Sequence, residues 1–348
     1  MLHRCPAGIN VAYLTDHQRA EMHGAALEGL MDLAARRFAV IEALLRCGIS
    51  LGGAVDDKLG EEAMSWATAS VRRLIPGMPQ WSHSIRNAPP RVGREPVDPQ
   101  LVYFPACVSR MRGSSALGKD SLMATVLRVA DRAGLSVRLP RDAAGLCCGQ
   151  IWGHKGFVAG QATMANRLVA ALWRWSEGGR LPIMCDVTSC ARTMLLELER
   201  EQFGGRELLL SEANRERYAQ LRITDLAEWL HDDVLGRLQI RRKKRSVLVH
   251  PTCACTQLGL DQKIAAIVAA CAEDFIIPDS LGCCGAGGDR GFLYPKLADA
   301  AVHDEADEIE GTSYDGAYSF AKTCEIVLGD RTGQPFESLV YLVDEVTA

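Results

Sequence analysis

The chain has 348 residues, 48% hydrophobic and 24% charged, with a formal net charge of -4, so it is long enough for two or three domains, each with its own core. The charge balance offers no basic surface for nucleic acid. No apolar run approaches the roughly 20 residues needed to span a bilayer, and the start MLHRCPAGIN has no signal-peptide core. A cytoplasmic protein, peripheral to the inner membrane at most, is expected. Thirteen cysteines without a secretory signal are more readily metal ligands or redox groups than a disulfide framework.

Leu27, Leu30, Ala34, Phe38, Ile41 and Leu45 fall three or four apart and mark an amphipathic helix from residue 26 to 47, ended by Gly48. A second helix is expected over 61–75. Pro76, Pro79, Pro89, Pro90, Pro96 and Pro99 then exclude regular structure, so 76–100 reads as a Pro-rich linker. From residue 101 short apolar strands alternate with helices, the pattern of an α/β layer fold. Strands are expected at 101–105 and 136–140 and from Leu181 onward, with helices at 120–133 and 162–176 between them. Residues 201–245 read as a helical connector ending in the basic run RRKKR. The scheme then restarts: strands at 246–251, 274–278 and 316–320 enclose helices at 261–272 and 295–308.

The restart is also a sequence repeat. FPAC, ending at Cys107, matches HPTC, ending at Cys253; LCCG, with Cys147 and Cys148, matches GCCG, with Cys283 and Cys284. HKGF matches DRGF, and TSC, ending at Cys190, matches KTC, ending at Cys324. The fold expected is therefore α/β, two tandem homologous units after a small N-terminal helical segment. Divided in chain order, these are a helical piece (1–75), the linker (76–100), one unit (101–200), the connector (201–245) and the second unit (246–348).

Each half offers four cysteines just beyond predicted strands, where ligands of open α/β sheets bind. Gly149 and Gly285 follow the paired cysteines, allow unusual backbone angles and present N–H groups to an anion such as bridging sulfide. Four thiolates suit zinc or an iron–sulfur cluster. The short C-x2-4-C knuckle typical of zinc is missing among these positions, which favours the cluster. Of the remaining cysteines, Cys47 and Cys271 read as core residues, Cys255 corresponds to Ser109, and Cys185 corresponds to Ser319. GSSALGKD at 113–120 has Asp120 where a P-loop needs a hydroxyl, so it reads as a loop and helix cap.

VYFPACVSRMRG, GLCCGQIWGHKGF, HPTCACTQLGL, GCCGAGGDRGF and TCEIVLGDRTGQPFESLVYLVDE resemble the C-terminal iron–sulfur region of bacterial FAD-linked D-lactate dehydrogenases. More distantly they resemble the iron–sulfur subunit of glycolate oxidase and the CCG-domain subunit of heterodisulfide reductase. The resemblance implies two CCG modules. It also implies a 4Fe-4S type cluster, FAD carried only on a missing domain or partner, a flavin-binding dehydrogenase domain or subunit as donor, and a quinone or cytochrome as acceptor. Thr193 and Val327 stand where the fullest CCG pattern has its last cysteine. RCPAGI resembles the close of a ferredoxin run of which only Cys5 remains, so residues 1–75 are expected to be the remnant of a ferredoxin-type domain with an incompletely covered apolar face. On this reading the chain does not oxidise a 2-hydroxy acid alone. The alternative is a non-catalytic module whose cysteines hold zinc or no metal.

Overall fold

The computed structural model describes residues 11–60, 63–75, 78–82, 84–85, 87–199 and 209–348, with residues 11–13 described by their backbone only. Four helices come first: α1 (Val11–Met22), α2 (Ala25–Arg36), α3 (Phe38–Leu59) and α4 (Ala63–Arg72). Periodicity located this helical segment but misplaced its breaks. The chain interrupts at Arg37 and then runs through Gly48 as far as Gly60, because an isolated glycine weakens a helix without ending it. By length and composition α3 could cross a membrane, which a search for uninterrupted apolar runs does not reveal. Its polar residues dock it instead. Glu42 forms a buried ion pair with Arg110, and Asp56 accepts from Trp81 Nε1 at 2.5 Å. Leu30, Leu33, Val40, Leu44 and Leu51 remain exposed, so one apolar face of the segment is uncovered. Cys47 is exposed as well, contrary to the core position its helical spacing suggested; Cys271 is buried.

The proline-rich stretch carries no helix or strand beyond a bridge from Arg94 to Leu139 among its described residues. It is packed rather than free: Ile85 is buried, and Ser84 Oγ donates to Asp330 at 2.7 Å.

The first unit runs β1 (Leu101–Phe104), α5 (Cys107–Arg112), α6 (Leu122–Arg132), β2 (Val137–Arg138), α7 (Gln150–Lys155), α8 (Val158–Trp175), β3 (Ile183–Cys185), α9 (Thr188–Leu196), α10 (Glu212–Tyr218), β4 (Ile223–Asp225) and α11 (Leu226–Trp229). The second runs β5 (Lys244–Val249), α12 (Cys253–Gln257), α13 (Asp261–Cys271), β6 (Ala272–Ile276), α14 (Arg290–Leu293), α15 (Pro295–Ile309), β7 (Ala317–Ser319), α16 (Lys322–Thr332), β8 (Phe336–Ser338) and α17 (Leu339–Thr347). Each sheet is parallel and four-stranded, in the orders β2-β1-β3-β4 and β6-β5-β7-β8. The fold is two parallel α/β units of the same topology after a helical segment.

The fourth strands lie outside the sequence expectation. β4 falls in what reads as a helical connector, and β8 lies beyond 316–320, the last strand expected; each is three residues long and leads directly into a helix. Alternation along a strand divides the core between the two sheet faces. Leu101, Tyr103, Val247 and Val249 join α6, α13 and α17 in one apolar cluster. Val102, Phe104 and Leu248 join α8 and α15 in the other. Across the units Arg128 pairs with Asp344 at 2.7 Å, and Lys119 with Glu337 at 2.5 Å. Lys119 is thus engaged by carboxylates, and Ser121 caps α6 through the Ala124 amide, as the loop-and-cap reading of GSSALGKD requires. Lys244 and Arg245 of the basic run likewise pair with Glu345 and Asp315.

Candidate metal centre

The strand order places the cysteines. β1 and β3 are neighbours, yet the chain leaves β1 toward β2 and β3 toward β4, on opposite sides. Such a switch point opens a crevice at the carboxyl ends of the strands. Cys107 opens α5 just past β1, Cys147 and Cys148 lie between β2 and α7, and Cys190 is in the first turn of α9 just past β3. In the second unit Cys253 opens α12, Cys283 and Cys284 follow β6, and Cys324 is in the first turn of α16. Cys147, Cys148, Cys190, Cys284 and Cys324 are buried, Cys107 and Cys283 are half-buried, and Cys253 is exposed.

The sulfurs meet in sequence. Cys107 Sγ lies 3.6 Å from Cys147 Sγ, and Cys148 bonds to both Cys147 and Cys190. In the second unit Cys253 bonds to Cys283, Cys283 to Cys284, and Cys284 Sγ lies 2.8 Å from Cys324 Sγ. All eight thiols are thus drawn into two groups of four. They form linked contacts rather than a closed cage: among the described residues, no group of three or more His, Cys, Asp or Glu side chains stands as a ready site for a single metal ion.

The contacts single out one thiol in each group. Hydrogen bonds from Cys147 and then Cys190 hold Cys148 down to about 6 despite its burial. Bonds from Cys253 and Cys284 hold Cys283 far below the ordinary thiol range, with further help from the Gly285 amide and from nearby His250. The partners move the other way. Cys107 is raised by its bond to Cys147 and by burial. Cys147 is drawn down by Cys107 but raised overall by Cys148 and burial. Cys190 is raised by Cys148, Cys185 and burial, and Cys284 by Cys283, Cys324 and burial. Each group therefore holds one thiolate-prone sulfur beside neighbours that burial and mutual bonding raise, a poised start for taking up a soft cation.

The glycines do what their positions suggested at the level of the backbone. Gly149 has φ +88° and Gly285 φ +72°, left-handed angles that favour glycine. The Gly149 amide donates to Cys147, the Gln150 amide to Cys148 and the Gly285 amide to Cys283. A Cβ on Gly285 would also lie 2.8 Å from Ala298 Cα on α15.

Cys185 and Cys190 are five positions apart, and residues an odd number apart on one extended strand face opposite sides. The strand ends at Cys185 and Cys190 belongs to α9, so alternation does not apply, and Cys185 bonds to Cys190. Ser319, the last residue of β7, occupies the matching place and donates to the His250 carbonyl at 2.9 Å. Cys255 is buried in the other apolar cluster, 3.3 Å from Thr252 Oγ1. Cys5 lies outside the described residues.

Sequence reasoning missed Arg110. Its guanidinium grips Glu42 through Nε at 2.9 Å and Nη2 at 2.7 Å, and donates to the carbonyls of Pro105 at 2.7 Å and Leu146 at 2.6 Å. It therefore ties the loop before Cys107 to the loop before Cys147. The repeat gave one hint, since Thr256 stands at the matching position of the second half. His154 and Lys155 pair with Asp16 of α1 and with Asp289 of the second unit.

A family model described as a cysteine-rich domain, CCG, matches residues 101–194 and again 247–329. The chain belongs to the CCG cysteine-rich domain family. The two matches contain all eight clustered cysteines and stop short of β4 and β8. Among curated proteins, none matches the chain. CCG domains are typically associated with iron–sulfur centres, and the donor set fits such a group: soft thiols gathered in fours, bordered by backbone N–H donors and largely shielded from water.

Proposed function

We propose that this chain is the iron–sulfur electron-transfer part of an FAD-linked 2-hydroxy-acid dehydrogenase of the D-lactate or glycolate type. Oxidising a 2-hydroxy acid to a 2-oxo acid releases two electrons and two protons. A flavin-binding domain or subunit takes them, and this chain passes the electrons to a quinone or cytochrome. The observation that carries the reading is the gathering of four thiols at each of two equivalent switch points. An iron–sulfur cluster, when bound, exchanges electrons one at a time. The chain's own part is to hold it through Cys107, Cys147, Cys148 and Cys190 and through Cys253, Cys283, Cys284 and Cys324. Backbone N–H groups at Gly149 and Gly285 oppose the negative charge on sulfur. On this reading residues 1–75 are the remnant of a ferredoxin-type domain, and the protein works in the cytoplasm against the inner membrane, where a quinone is within reach.

A second reading, a non-catalytic module holding zinc, is favoured by one distance. The 3.6 Å between Cys107 and Cys147 is near the edge of about 3.8 Å that tetrahedral zinc–thiolate bonds of about 2.3 Å imply. Anaerobic purification with iron, acid-labile sulfide and zinc analysis separates the two. Iron with sulfide, reduced in Cys148→Ser and in Cys283→Ser, is expected. Zinc without labile sulfide would overturn the electron-transfer reading.

A further inference from the structure

The two halves differ at the residue where the central strand of each sheet ends. In the first half Phe104 is fully buried, its ring centroid 6.3 Å from that of Trp175. In the second half the matching residue is His250, also 0% exposed. His250 lies one residue past β5, and its bond to α15 sets it on the side that carries Leu248, the side whose apolar cluster also contains Cys284 and Cys324. Its Nδ1 is held by the Glu305 carboxylate at 2.7 Å, and Glu305 is itself 3% exposed on α15, in step with Ala298, Val302 and Ile309. Its Nε2 is buried and has no hydrogen-bond partner among the described residues.

A histidine kept only for packing would satisfy both ring nitrogens, because leaving a polar atom buried and unpaired costs about 1–3 kcal/mol. Phe104 fills the matching place without that cost. A carboxylate that fixes one ring nitrogen and leaves the other bare is the arrangement found behind metal-ligating imidazoles: it sets the tautomer, orients the ring and makes the free nitrogen more basic. His250 is also within electrostatic reach of Cys283.

We propose that His250, oriented by Glu305, supplies an Nε2 nitrogen donor to the metal centre of the second half, making that centre a mixed sulfur–nitrogen site while the first is bound by sulfur alone. This rests on the metal-binding reading above. It involves no redox step, only donation of the Nε2 lone pair.

The test is pulsed electron paramagnetic resonance on the full chain, reconstituted anaerobically with iron and sulfide and reduced with dithionite, with and without 15N-labelled histidine. A nitrogen coupling that changes with the isotope is expected in the wild type. It should persist in Cys148→Ser, which leaves only the second half loaded, and be lost in His250→Phe, the residue the first half carries. It should also vanish in the double variant Cys283→Ser, Cys284→Ser, which leaves His250 untouched and so gives a control if the phenylalanine variant does not fold. Iron in the second half without a histidine coupling would overturn this assignment alone. A wild type that binds no iron in either half would sink the cluster reading and this assignment with it.

Discussion

Replacing Glu42 by glutamine tests how the first group of thiols is held. Glu42 is 3% exposed and Arg110 is 6% exposed. The carboxylate takes two charge-assisted bonds from the guanidinium and a third, at 2.9 Å, from the Gly145 amide. Glutamine keeps the shape and one acceptor oxygen, but turns an N–H donor toward the guanidinium and leaves a buried cation without its counter-ion. Removing one member of a buried pair costs about 3–5 kcal/mol, and the surviving acceptor places the expectation near the lower figure, about 3 kcal/mol. Trp152, whose ring lies 5.1 Å from that of Phe38 on α3 in an edge contact, provides a fluorescence probe for urea unfolding at this seam. The paired substitution Glu42→Leu, Arg110→Met removes both charges and should recover most of the loss, since apolar replacement of a buried pair is often neutral or better. A single variant within about 0.5 kcal/mol of wild type, the ordinary range for surface changes, would refute the reasoning. So would a double variant less stable than the single one.

Cys190→Ser should remove iron from the first half while Cys185→Ser leaves it in place, because Cys190 bonds directly to Cys148 whereas Cys185 bonds to Cys190; equal loss of iron in the two would show that the fourth ligand is misassigned. Burial raises Asp225 to about 7 from an ordinary 3.8, so the folded state holds this proton more tightly than the unfolded chain. That contribution is fully present below about pH 4 and is lost as pH rises through 7, to a total of about 4 kcal/mol. Asp225→Asn should therefore unfold at higher urea than wild type at pH 8 and lose the advantage toward pH 4; an advantage independent of pH would refute the assignment.

How much of this was legible in the sequence depended on the range of the forces involved. The repeated strand–proline–cysteine and paired-cysteine patterns are local, and they located both units and all eight clustered thiols. The fourth strands were missed because a three-residue strand such as Ile223–Asp225 offers too few residues for alternation to register. Gly48 was read as a stop although it sits inside α3, where the docking of Glu42 and Asp56 on either side carries the helix onward. Arg110 was overlooked because its partner lies 68 positions away, and nothing in VSRMR distinguishes a buried arginine from a solvated one. Cys47 has core spacing, but it sits on an exposed side of α3, where helical periodicity alone does not tell a covered face from an uncovered one.

The two thiol groups share a topology and differ in their surroundings, and the differences fall at matched positions. Arg110, which cross-links the cysteine loops of the first half, faces Thr256 in the second. There the charged groups enter from other elements: His250 with Glu305 where the first half has Phe104, and a buried Lys322–Glu325 pair at 3.0 Å beside Cys324, where Thr188 precedes Cys190. A thiolate is favoured where donors converge on it. In the first half those donors are Cys147, Cys190 and the Gln150 amide at the start of α7. In the second, residues 285–289 separate the cysteine pair from α14, and Cys283 draws on Cys253, Cys284, the Gly285 amide and His250. Duplication therefore preserved the positions of the sulfurs while the groups that set their charge diverged, so any two centres bound here are chemically unlike.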